Sequence, residues 1–230
     1  MMQKTPLLPS LKEAFFGWRY LAFSVLFLPF LLRLVAGLLP VPVGGLWLNI
    51  AYFAVNFTVA LFAFRQFWGR TFADAPKRLL TVALTAIATL VVYFTVSAGL
   101  SRLLWLLDSN FFNVNDQNIS ALAEESFLLT AIGTVFLAPV AEEVFHRGAV
   151  FGGLYRRSRW LAYVVSACVF SLVHINGYIG AIPPLTLLLC FVQYLPAGIC
   201  LAAAYEISGS LLTPVCIHVV INIIGIAAMR

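Results

Sequence analysis

The stretch Val140–Val150, VAEEVFHRGAV, sets Glu142, Glu143, His146 and Arg147 inside a chain that is otherwise apolar for many residues on either side. Carboxylates and a guanidinium there demand partners, and finding the partners means deciding what surrounds them. The composition answers first. Of 230 residues, 62% are hydrophobic and 10% charged, where a soluble domain holds roughly 45–50% apolar and about 25% charged residues. Mean hydropathy is +0.98. An aqueous core cannot hide that much apolar surface, so lipid must solvate much of it. The expected fold is an all-α, polytopic transmembrane helix bundle forming a single integral-membrane domain over residues 1–230.

Seven apolar segments can be marked, each near the ~20 residues that cross a hydrocarbon core: 20–39, 46–64, 79–100, 127–155, 160–174, 184–205 and 210–228. An eighth is allowed for. Trp18, Trp47, Trp68, Trp105 and Trp160 fall at or near segment ends, at the headgroup level that indole rings prefer. The first segment is too long for a cleaved leader and carries Arg33, so it is expected to be retained.

The net charge of +5 does not point to nucleic acid, because the basic residues sit in short runs between apolar segments. Lys4, Lys12 and Arg19 precede the first segment. Arg65, Arg70, Lys77 and Arg78 follow the second, and Arg156, Arg157 and Arg159 follow the fourth. With seven spans these groups share one side, the cytoplasmic one by the positive-inside rule. The loop 101–126, with Asp108, Asp116, Glu124 and Glu125 against Arg102, falls on the other. An N-terminus in the cytoplasm and a bacterial inner membrane are the expected setting. Cys168, Cys190, Cys200 and Cys216 all lie in apolar segments without metal spacing, as small buried hydrophobes do.

Each charge near the bilayer centre costs about 2.5–3.5 kcal/mol on insertion scales. Glu143 and Arg147, four apart on one helix face, can pair. Glu142 points about 100° away and needs something else. It lies sixteen residues before Ser158, and His174 lies sixteen after it. Equal counts from a turn mean equal depth in an antiparallel hairpin, so the two can face each other. His218 and Asn222, at i and i+4 on the seventh segment, share a face. Singly, His174 reads as a packing residue and Asn222 as interhelical glue. Together they form a polar layer that marks function in a membrane.

A carboxylate can take a proton from water and a histidine can share that water or protonate a leaving amine. A His–Asn pair can donate to an oxyanion. These are the parts for direct hydrolysis of an amide. No serine or cysteine stands in a nucleophile motif, no aspartate lies in a span, and there is no zinc-binding His-Glu-x-x-His. A site of two histidines and one carboxylate stays open. So do a proton-coupled transporter and a non-catalytic membrane scaffold built on the same cluster. Gly148-x-x-x-Gly152 suggests close helix packing.

Glu142-Glu143-x-x-x-Arg147, Phe170-x-x-x-His174 and His218-x-x-x-Asn222, in this order, resemble the three motifs of the CAAX protease and bacteriocin-processing family. These are intramembrane glutamic proteases, also called the Abi family. The flanking text EEVFHRG, FSLVH and SGSLLTPVCIHVVIN is similar too. The resemblance covers about the last ninety residues. It implies a metal-free, cofactor-free endopeptidase whose motifs lie within 142–222. Glu142 would activate water with His174 as partner, and His218 and Asn222 would bind the oxyanion. Glu143, Arg147 and Phe170 would support the motifs. His146 stands where the family commonly has an aromatic residue. The implied substrate is a hydrophobic or lipid-modified peptide or a membrane-protein tail. The basic rim, attractive to a C-terminal carboxylate, suggests a water-filled cavity opening on the cytoplasmic side.

Overall fold

A computed structural model describes residues 6–228; Lys4, counted above among the basic residues, lies outside them. Ten helices follow one another, and no strand occurs among the described residues. They are α1 (Leu11–Leu26), α2 (Leu28–Gly37), α3 (Gly45–Ala63), α4 (Arg65–Asp74), α5 (Leu79–Leu107), α6 (Val114–Glu125), α7 (Phe127–Tyr155), α8 (Arg159–Ile175), α9 (Pro184–Ser208) and α10 (Leu212–Ala228). All seven apolar segments are helical, which bears out the all-α polytopic bundle. Four helices reach 19 to 29 residues (α3, α5, α7 and α9), and α8 with its 3₁₀ extension to Tyr178 reaches 20. These five are long and apolar enough to cross a membrane alone. A sixth crossing is the pair α1–α2, bent by 50°. The break falls before Pro29, whose missing N–H suits the first turn of a new helix. The count of seven therefore needs one qualification: α10, at 17 residues, is shorter than a typical span.

Sequence signals set the helix starts. Ser10 and Glu13 form a reciprocal capping box at α1. Ser126 and Ser158 accept from Leu129 and Leu161 at the starts of α7 and α8. Gly209, at φ +67°, closes α9 in the left-handed conformation that favours glycine. α6 was not expected: the loop after the third segment contains a 12-residue helix, and α5 continues to Leu107.

α7 is the central helix. Phe145, Val150 and Phe151 are buried with Phe64 and Phe67 of the α3–α4 region and Tyr205 of α9. α5 lies outside, packed on α9 and α10. Leu79, Leu84, Ile87 and Val91 face outward, as lipid contact requires. At one end of the bundle the basic groups are tied down. Glu13 accepts from the Phe67 N–H at 3.0 Å and pairs with Arg70. Arg78 donates to the Ser208 carbonyl at 3.1 Å. Arg156 donates to the Pro9 carbonyl, and the Leu7 N–H donates to the Gly209 carbonyl at 3.2 Å. Gly148 and Gly152 pack against Phe67 and against Leu8 and Pro9, so the expected close approach is to α4 and the N-terminal strap. Glu206, at the end of α9, accepts from Tyr155 and Tyr163 and takes a two-point contact from Arg159. This clamp fastens three spans, and the sequence reading missed it.

Candidate functional site

α7 is not a uniform α-helix. Ile132–Leu137 and Val144–Phe151 are wound as π-turns, a feature frequent at functional sites. Glu142 and Glu143 sit on the short α-helical stretch between them. The first π-turn has a local cause. The Ala138 N–H donates to the Gly133 carbonyl, and Pro139, next in line, has no N–H to offer. The Thr134 carbonyl is thereby released from the helix, and Asn222 Nδ2 donates to it at 2.7 Å. Asn222 thus has one N–H committed to α7 and one remaining.

Glu143 and Arg147 are completely buried and joined at 2.9 Å. The second Glu143 oxygen accepts from His218 Nδ1 at 2.9 Å. Arg147 continues to Ser166 on α8 at 2.9 Å and lies 5.1 Å over the Phe170 ring. The two carboxylates therefore divide. Glu143 has both oxygens occupied, and its neighbour faces open space.

Glu142 Oε2 lies 3.7 Å from His174 Nε2 and 3.8 Å from His218 Nε2. Both imidazoles are held by their other nitrogen. His174 Nδ1 donates to the Phe170 carbonyl at 2.8 Å, and His218 Nδ1 donates to Glu143. The bond made at Nδ1 decides what Nε2 presents. The hairpin count from Ser158 thus brought Glu142 and His174 together as expected. Phe170 is the aromatic hub, 4.5 Å from the His174 ring, 5.1 Å from His146 and 5.8 Å from His218. His146 donates from Nδ1 to the Glu142 carbonyl at 2.8 Å, fixing the turn that carries the first motif. Among the described residues no group of three or more His, Cys, Asp or Glu side chains is arranged to hold a metal ion.

The three facing groups line a cavity of about 630 Å³. Its other walls overturn the expectation of an opening on the basic side. Asn113, Asn115, Asp116, Asn118 and Ile119 of the α6 region line it, with Asn49 and Tyr52 of α3 and the last turn of α10. All lie toward the 101–126 end. Toward the arginines the way is closed by Phe145, Val150, Phe151 and Tyr205, each at most 2% exposed. Counting residues from a turn gave matched depth but took no account of side-chain packing, and packing decides which end stays hollow. Asn49, Asn56, Gln193 and Tyr194 also line the cavity. Amides inside apolar segments were the signal that could have pointed to them.

The fold and cavity define a class: a polytopic integral membrane protein with a carboxylate and two imidazoles facing a cavity inside the bundle. Residues 124–224 match the family model described as type II CAAX prenyl endopeptidase Rce1-like. The match covers less than half of the chain; it is a similarity in the same direction as the three motifs, and it supports an endopeptidase of the CAAX type in general terms. No curated protein and no solved structure matches the chain.

Proposed function

We propose that the protein is an intramembrane endopeptidase that hydrolyses a hydrophobic or lipid-modified peptide, or a membrane-protein tail, with water activated by Glu142 and His174. The observation that carries the reading is the convergence of Glu142 Oε2 on the two Nε2 atoms, at 3.7 and 3.8 Å, on a cavity wall. A water held between Glu142 and His174 gives its proton to the carboxylate as its oxygen attacks the scissile carbonyl carbon. The oxyanion so formed takes hydrogen bonds from His218, acting as the doubly protonated ring with Nδ1–H on Glu143, and from the free N–H of Asn222. Collapse breaks the C–N bond. The proton taken by Glu142 passes, directly or through His174, to the departing amine.

The grouping of the basic residues at the closed end supports a cytoplasmic N-terminus, with a bacterial inner membrane as the setting. The cavity then opens on the non-cytoplasmic side, and substrate reaches it past α6 and the end of α10. The test is hydrolysis of a quenched hydrophobic peptide by purified protein in lipid nanodiscs, wild type against Glu142→Gln. Turnover in the wild type alone is expected. Equal turnover in both would remove Glu142 from the mechanism, and none in either across a peptide library would favour a non-catalytic scaffold.

A further inference from the structure

Tyr194 is unused by this mechanism, yet it touches both the site and its cover. Its ring stacks on His174, centroids 4.4 Å apart and planes 29° from parallel. With Phe170 on the motif's own helix, it closes the imidazole between two aromatic rings. Its hydroxyl reaches the other way. It accepts from Asn115 Nδ2 at 3.1 Å and lies 3.2 Å from Asn113 Oδ1 and 3.4 Å from Asp116 Oδ1. Those three residues open α6. Asn113 is its cap, accepting from the N–H groups of Asn115 and Asp116, and Asn113 Nδ2 donates to Gln193 at 2.9 Å.

Why α9 comes so close to His174 is visible one turn further on. A Cβ at Gly198 would stand 2.8 Å from Ala167 Cα on α8. Only glycine permits that approach, and it holds the Tyr194 ring against the end of α8. The hydrogen bond from His174 Nδ1 to Phe170 fixes one atom of the ring. It leaves rotation about that contact free, and the stack opposes the rotation.

We propose that Tyr194 is a positioning residue: its ring holds the His174 imidazole toward Glu142, and its hydroxyl latches α6 over the cavity mouth. The proposal rests on the endopeptidase reading above. It ties admission of substrate to the set of the imidazole, because a peptide that lifts α6 must pull on the residue that stacks His174. The charged and titratable groups facing this imidazole include Glu142 and His146 on α7 and Asp116 on α6, and His218 on α10 shares the Glu142 oxygen with it.

The two functions of Tyr194 separate by substitution. Tyr194→Phe keeps the stack and loses the latch; it is expected to lower KM and speed hydrogen exchange in α6 while kcat stays within about twofold. Tyr194→Leu loses the stack and is expected to lower kcat by about tenfold or more, as misplacement of a reacting group does. A structural role alone would not move the ring signals of His174. The chain has three histidines, so ring-¹⁵N spectra can be assigned with His146→Phe and His218→Gln. Tyr194→Leu should shift the His174 signals and Tyr194→Phe should not. If the Leu variant does not fold, Tyr194→Met serves. Unmoved His174 signals, or equal loss of kcat in the Phe and Leu variants, would overturn the proposal. Full kcat in Tyr194→Leu beside an inactive Glu142→Gln would overturn it and leave the endopeptidase reading standing. An active Glu142→Gln strikes the reading itself.

Discussion

His218 stands between the two glutamates of the first motif, with Nδ1 2.9 Å from Glu143 Oε1 and Nε2 3.8 Å from Glu142 Oε2. One ring thereby links the buried ion pair to the cavity. Glu143 not only holds Arg147 but also sets which face and which nitrogen His218 presents.

The two carboxylates should therefore fail differently. Glu142→Gln keeps shape and removes the base, so kcat is expected to fall by on the order of 10² or more with thermal stability unchanged. Glu143→Gln should lower both stability and kcat, through Arg147 and through His218. Denaturation midpoints and kcat measured side by side check this. A fully active Glu142→Gln beside a dead but stable Glu143→Gln would mean the assignments are reversed.

Arg147→Ala leaves the Glu143 carboxylate buried with one oxygen unpartnered. Breaking a buried pair on one side costs about 3–5 kcal/mol. Unfolding in mixed detergent should show a loss of that order. Wild-type stability in the alanine variant would mean that water replaces the guanidinium.

Activity is expected to survive strong chelators, because the proposed reaction needs only Glu142, His174, His218 and Asn222. Loss on chelation with recovery on added zinc would instead favour the alternative of two histidines and one carboxylate.

Access can be read by thiol labelling. The four native cysteines are first replaced, and a single cysteine is placed at Asn118 or at His218. A membrane-impermeant reagent is expected to reach both from the side of the 101–126 loop. Labelling of His218→Cys only from the side of Arg156, Arg157 and Arg159 would refute the access route and leave the chemistry untouched.

Asp116 is the acidic side chain at the mouth of the cavity. The protein around it raises its carboxyl above the ordinary carboxylate range, opposed by the Tyr194 hydrogen bond and by His174. A folded pKa above the unfolded one stabilises fully below the unfolded value, and that contribution is lost as pH rises through the folded value. Asp116→Asn should remove this dependence. The variant is expected to match or exceed wild-type melting temperature at neutral pH and to lose the wild-type gain on mild acidification.

Much of this was legible in the chain itself. Charges as rare as Glu142, Glu143 and Arg147 in apolar text announce a site, because lipid offers them no partner. Sixteen residues either side of Ser158 put Glu142 opposite His174, because a helix rises evenly along its axis. Glu206 escaped notice at the edge of its segment, although its clamp on Arg159, Tyr155 and Tyr163 obeys the same rule. Tyr194 carried no signal, since a tyrosine in a span is ordinary until its neighbours are known.

The local code by itself determined the helices, their caps, the i to i+4 pair of Glu143 with Arg147, and the shared depth of the motif residues. These follow from period, composition and turn position. Tertiary structure alone decided that His218 bridges both glutamates and that Asn222 answers the carbonyl released before Pro139. It also decided that the cavity lies toward α6 and not toward the arginines. Such facts depend on which helix faces pack and where packing leaves a void, and residues 75 or more positions apart settle them.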